Sequence, residues 1–158
     1  MKQTALGIDI GGTFTKFGLS DIDGNILMEG SIPTYTHKEI KDFLDALSEA
    51  IQQKLDSITE PINVIGVGIG APNGNYYNGT IEHAPNLHWK GIIPFIELFQ
   101  ERFDLPMIMT NDANAAALGE MVYGGAKGLD YFIVLTLGTG LGSGIVTNGD
   151  LIYGKHGF

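Results

Sequence analysis

Asp9-Ile10-Gly11-Gly12-Thr13 sets a carboxylate near the end of one apolar run, then two glycines and a threonine, and a second apolar run follows at once. The segment reads as strand, tight turn, strand. Glycines at such a turn can take positive φ and leave bare backbone for a ligand to approach. The Thr13 hydroxyl and the neighbouring N–H groups can point into the turn as anion donors. Asp9, at the strand end, can hold a hydrated Mg²⁺. The same residues also suit an ordinary hairpin with a Gly-Gly turn. Leu137-Gly138-Thr139-Gly140 repeats the pattern at long range. Two such hairpins on facing lobes could pinch a triphosphate between them, with the glycine break at 124–128 as the lobe boundary. A Walker A loop and the G-x-G-x-x-G fingerprint are absent, and each glycine turn leads into a strand rather than a helix, which argues against P-loop and Rossmann sites.

A second constellation is Thr110-Asn111-Asp112-Ala113-Asn114. A strand ends and a helix begins on two polar residues. Asn111 or Asp112 could simply cap that helix. A carboxylate at the C-terminal end of an α/β strand also lies where ligands bind, and Asp112 could there accept a hydroxyl proton during phosphoryl transfer, with Asn111 bonding the same substrate. A third group, Gly70-Ala71-Pro72-Asn73 and Asn86-Leu87-His88-Trp89, offers amides, an indole and a histidine of the kinds that bind sugars, although on these residues alone ordinary loop chemistry is the favoured reading. His37, His83, His88 and His156 lack metal-ligand spacing, and no G-x-S-x-G elbow occurs.

The elements that would position these groups follow from periodicity. Residues 4–10, 14–20 and 26–33 read as a three-stranded antiparallel meander. Residues 37–58 read as a core-packing helix, with Ile40, Phe43, Leu44, Leu47, Ile51, Leu55 and Ile58 on one face. Residues 62–70 form a strand apolar almost throughout, as in a sheet covered on both faces. A turn-rich excursion spans 74–83. A helix over 92–103, a short strand over 105–110, an alanine-rich helix over 111–123 and a strand over 131–137 come next. Residues 138–144 read as a glycine-rich turn, before a strand at 145–147 and a hairpin at 148–150 that leads into 151–153.

The bulk numbers fit this α/β reading. The chain has 158 residues, 44% hydrophobic composition and 23 glycines, enough for a real core. The net charge is −9, and without a Lys/Arg cluster a nucleic-acid surface is not expected. With no cysteine, neither a disulfide framework nor a thiolate metal site is available. No secretion signal and no apolar run long enough for a membrane span occurs, so a cytoplasmic location without membrane contact is expected.

Taken together the motifs resemble the ROK family of bacterial sugar kinases and sugar-responsive repressors, within the actin-like ATPase/hexokinase superfamily. The matching residues are Gly7 to Thr13, Gly68 to Pro72, Ala84 to Leu87 with Trp89, Asn111 to Glu120, and Leu137 to Gly142. They occur in the family's order along the whole chain. The resemblance implies a ribonuclease H-like (actin-like ATPase) lobe, a mixed five-stranded sheet flanked by helices, plus the first strands of a second lobe. It implies ATP-dependent phosphorylation of a hexose hydroxyl, the 6-OH of glucose or a related sugar, with Asp112 as general base. Asn111 and Asn86 would bind sugar hydroxyls, helped by backbone at Gly70 and Ala71. Gly11, Gly12 and Thr13 would contact the nucleotide phosphates from one lobe, Thr139 and Gly140 from the other. Asp9 would organise Mg²⁺ through water.

The chain also departs from the family pattern. It stops at Gly154-Lys155-His156-Gly157-Phe158, where a Glu-x-Gly-His sugar-binding segment would begin. It is therefore expected to be an N-terminal portion, with a lobe over 1–124 and an incomplete second lobe over 125–158. Strand edges left exposed by such a portion predict a homo-oligomer, a dimer or a swapped assembly. The competing expectations are the sugar-binding effector domain of a ROK-type regulator and a catalytically incomplete fragment. Retention of Asp112 favours the enzyme.

Overall fold

The computed structural model describes residues 1–138 and 140–158; Thr139, expected to meet phosphate, lies outside the described residues. Strands β1 (Lys2–Ile10), β2 (Phe14–Asp21) and β3 (Ile26–Pro33) form the expected meander, followed by helix α1 (Ile40–Asp56) and strand β4 (Ile62–Ala71). Short strands β5 (Gly74–Asn75), β6 (Thr80–Glu82) and β7 (Ile92–Ile93) precede helix α2 (Phe95–Gln100), strand β8 (Met107–Asn111) and helix α3 (Asp112–Val122). Strands β9 (Phe132–Leu137), β10 (Leu141–Thr147) and β11 (Asp150–Leu151) complete the chain.

The main sheet runs β3-β2-β1-β4-β8. Its first three strands are antiparallel, and β1, β4 and β8 are parallel. This is the mixed five-stranded sheet expected of a ribonuclease H-like lobe. Alternation along the strands decides which side chains meet the helices. Leu6, Ile8, Ile10, Phe17, Leu19, Val67, Ile69 and Met109 join Phe43, Leu44, Leu47 and Ile51 of α1, and Phe95 and Phe99 of α2, in one buried core. The alternate positions Gly68 and Gly70 turn to the opposite face, where α3 lies: a Cβ on Gly70 would stand 3.1 Å from the Ala115 methyl.

Several expectations needed correction. The helix expected over 92–103 is only α2, because Ile92 and Ile93 pair with β6 and Pro94 caps the helix. Pro94 fixes φ and lacks an N–H, so the helix starts just after it. The excursion over 74–83 contributes β5 and β6 to a small three-stranded sheet with β7. The turn expected over 138–144 is mostly strand: β10 begins at Leu141 and pairs with β9 through Gly142 and Gly144. Those glycines serve close packing, since a Cβ on Gly144 would lie 2.5 Å from the Ala117 methyl and one on Gly142 3.0 Å from that of Ala113. The alanines of α3 thus let it sit between two sheets, Ala115 against β4 and Ala113 and Ala117 against β10.

Candidate functional site

Parallel pairing sets the C-terminal ends of three strands side by side. Asp9 pairs with Gly70, and Gly70 with Thr110. With strands ~4.8 Å apart, the Asp9 side chain and the first turn of α3 look onto one space, and Gly70 keeps it open. A Cβ on Gly70 would come within 3.8 Å of the Asp112 Cα and 3.9 Å of the Asp9 Oδ1. Protein flanking the Asp9 carboxyl on the cleft side raises its pKa by desolvation, the neighbouring Asp112 charge raises it further, and Lys16 opposes both. Lys16 is the cross-strand partner of Asp9. Sequence reasoning missed this cation, because a turn at 11–13 would set Asp9 against Thr15; the loop closes over 11–14, with Ile10 opposite Thr15, and shifts the register by one.

The start of α3 separates the two roles left open for its polar pair. The Asn111 side-chain oxygen caps the helix by accepting from the Asn114 N–H at 2.7 Å, and its Nδ2 is not used in that bond. Among the described residues, Asp112 Oδ1 accepts from the next amide alone, Ala113 N–H, at 2.9 Å, and the Asp112 side chain is exposed and lines the cleft. Capping therefore belongs to Asn111.

The cleft has two compartments. One, of about 700 Å³, is lined by Asp9, Gly11, Lys16, Gly70, Asn86, Thr110 and Asp112, together with Tyr76 and Tyr153. The other, of about 590 Å³, is lined by Asn73, Asn86, Asn111, Asp112 and the β9–β10 hairpin, Gly140 included. Pro72, Asn86, Asp112 and Thr136 border both. Thr136, Tyr76 and Tyr153 were not singled out in the sequence, because strand alternation and loop composition carry no mark of which face meets a cleft.

Other expected residues sit differently. Gly11 and Gly12 are not at positive φ. They are glycines because space is short: a Cβ on Gly11 would be 2.6 Å from the Phe14 carbonyl oxygen, and one on Gly12 2.6 Å from the Asn86 carbonyl oxygen. That contact brings the expected phosphate turn against the loop of the expected sugar-binding Asn86. Among the described residues, the Gly12 and Thr13 amides have no acceptor, which leaves them available to an anion. Gly12, Thr13 and Ala71 line neither compartment, and the Ala71 methyl is buried in the core. Trp89, grouped with sugar-binding aromatics, is 6% exposed and packs on Phe43 at 4.5 Å between ring centroids; it is a core residue. Among the described residues no helix is long and apolar enough to cross a membrane, and no cluster of three or more metal-ligating side chains occurs.

Comparison with known proteins matches this geometry to one group. A glucokinase of Streptomyces coelicolor is 40% identical over 96% of this chain and 46% of its own length. The crystal structure of a ROK family glucokinase from Streptomyces griseus, in complex with glucose and AMPPNP, superposes with a TM-score of 0.84 at 35% identity, covering 98% of this chain and 47% of that one. A xylose repressor of Caldicellulosiruptor bescii is 32% identical over 97% of this chain and 39% of its own length. The chain spans about half the length of the curated relatives it matches. The ROK family model matches residues 5–158, so the match takes in every element that borders the cleft, and the chain belongs to the ROK family.

Proposed function

We propose that this chain carries the phosphoryl-acceptor half of an ATP-dependent hexose kinase, with Asp112 as the general base for a sugar hydroxyl, the 6-OH of glucose or a related hexose. The observation that carries the reading is the opposition of Asp9 and Asp112 across Gly70. Phosphoryl transfer needs the acceptor oxygen in line with the phosphorus and needs charge neutralised, and little covalent help from protein. Two carboxylates in one cleft divide that work. Asp112, held at the head of a capped helix, takes the acceptor proton. Asp9, beside the unbonded turn amides of Gly12 and Thr13, faces the phosphates.

The donor set fits Mg²⁺. Asp9 offers a hard oxygen at a strand end, and a second carboxylate nearby raises the local demand for a cation. Bound Mg²⁺ would neutralise developing phosphate charge. Asn111, through the Nδ2 that capping does not use, and Asn86 would bond sugar hydroxyls and orient the acceptor toward Asp112. Backbone at Gly70 and Ala71 would close around the same sugar. Thr139 and Gly140 would add phosphate donors from a second lobe beginning near residue 125. Lobe closure would exclude water that otherwise takes the phosphoryl group. A cytoplasmic site of action, where ATP is at hand, belongs to this reading, as does self-association through the apolar outer face of β9.

The glucokinase relatives support sugar phosphorylation in general. The xylose repressors support a second reading, a sugar-responsive effector domain that binds sugar without turning it over. Sugar-dependent ADP release from Mg-ATP separates the two.

A further inference from the structure

One wall of the cleft is built by residues nearly eighty positions apart in sequence. The Tyr76 and Tyr153 rings stack at 3.8 Å between centroids and 14° between planes, and both line the larger compartment that Asp9 and Asp112 also line. Stacking alone fixes such a wall weakly, because an aromatic pair contributes only about 0.5–1.5 kcal/mol beyond its buried area. A polar clamp adjoins it in the chain. Asn75 is 4% exposed. Its Oδ1 accepts from the amides of Tyr77 at 3.0 Å and Asn78 at 3.2 Å. Its Nδ2 donates to Glu82 Oε1 and to the His156 carbonyl, each at 2.9 Å. The Tyr76 N–H donates to the Gly157 carbonyl at 2.8 Å, and the Tyr77 hydroxyl to the Gly154 carbonyl at 3.2 Å.

Gly157 shows the same fit from the other side. It is buried at φ +83°, and a Cβ there would meet Asn75 Oδ1 at 2.5 Å and Tyr77 Cδ2 at 2.8 Å. A buried side chain with both polar atoms satisfied, meeting a glycine that admits no substituent, is a fitted joint rather than a chance contact.

We propose that Asn75 is a positioning residue that clamps segment 153–157 onto the turn at 75–77 and so holds the tyrosine wall against the floor that carries Asp9 and Asp112. The clamp sets how closely the cleft fits an acceptor sugar; that consequence rests on the kinase reading above, and the clamp itself does not.

The test uses Asn75→Asp, which keeps the acceptor that shapes the turn, loses the bonds donated to His156 and Glu82 and sets a carboxylate against Glu82, and Gly157→Ala, which opens the joint from the opposite side. Lys155 is exposed within the clamped segment, so trypsin cleavage after it, followed by mass spectrometry, reads clamp opening. Cleavage should speed up at least about tenfold in each variant, since a single lost buried hydrogen bond is already worth about that factor, with far-UV circular dichroism unchanged and Asp112→Asn cleaved like the parent. Glucose titrated calorimetrically should bind Asn75→Asp about tenfold more weakly, if the wall loosens to the same extent. Unchanged cleavage in both variants would overturn the clamp. Faster cleavage with unaltered glucose affinity would overturn its positioning role. A parent chain that binds no hexose but shows the cleavage differences would count against the kinase reading and uphold the clamp.

Discussion

Asp9 and Asp112 face each other across Gly70, and the Asp112 charge raises the cost of charge on Asp9, in a cleft whose floor is bare backbone at that point. Removing one charge should be visible at the other. In Asp112→Asn, the Asp9 carboxyl, raised from its ordinary value by desolvation and by Asp112, should titrate at lower pH, as followed by carboxyl ¹³C shifts. The desolvation part remains, so the return is partial. An Asp9 midpoint that stays put would mean the two groups do not share the cleft.

The glycines of the two sheets should divide sharply on substitution. Gly144→Ala drives a methyl into Ala117 and the Ala113 carbonyl, an overpacking that should cost about 1–3 kcal/mol in urea unfolding. Gly68→Ala meets nothing within 4 Å and is not at positive φ, so it should be neutral or stabilise by about 0.4–1 kcal/mol, chiefly by restricting the unfolded chain. Equal effects at the two positions would contradict the packing of α3 against β10.

Asp21 predicts the acid limb of stability. It is 3% exposed and ion-paired with Lys2 at 2.7 Å, and it accepts from Asn25 Nδ2 and from the amides of Asp23 and Asn25. The bond to Lys2 and then those to Asn25 hold its pKa far below the usual carboxylate range. Since the folded value is depressed, this stabilisation is complete above the unfolded pKa of ~3.9 and fades as pH falls below it toward the folded value. The urea midpoint of Asp21→Asn should sit below that of the parent at pH 7, and the gap should narrow below pH ~4. A constant gap would sink this assignment.

The outer face of β9 predicts association. Ile133 and Leu135 are each 61% exposed and Leu137 is 85% exposed, on a strand at the edge of its sheet. Such an edge recruits another strand. Sedimentation velocity should show a dimer or larger species that Leu135→Lys returns to monomer. A parent that stays monomeric at high micromolar concentration would contradict it.

Where the sequence was legible, one physical signal was enough. The meander and α1 came from alternation and helical spacing, because each buries only one face. The site motifs came from residue types that strands and caps seldom need together. What was misread was glycine. Gly142 and Gly144 read as a turn because a missing side chain looks the same in a bend and in a tight contact, and only the packing partner, α3, tells them apart. Gly11 and Gly12 were placed at the right turn for the wrong reason, since nearby carbonyl oxygens and not positive φ exclude a side chain there. Trp89 read as a loop residue that could also serve a sugar, and not as core, because its partner, Phe43, is distant in sequence. The tyrosine wall was invisible for the same reason.

The most direct test of the central claim is hexose-dependent ADP release from Mg-ATP, measured over a panel of hexoses for this chain and for Asp112→Asn. The account predicts turnover with glucose or a close relative, and a fall in kcat of about 10²–10⁴ in the variant with KM little changed, the size of general-base assistance. Turnover that survives intact in Asp112→Asn would contradict the assignment of the base. Sugar binding without turnover by the parent would contradict the kinase reading in favour of a sugar-responsive effector domain.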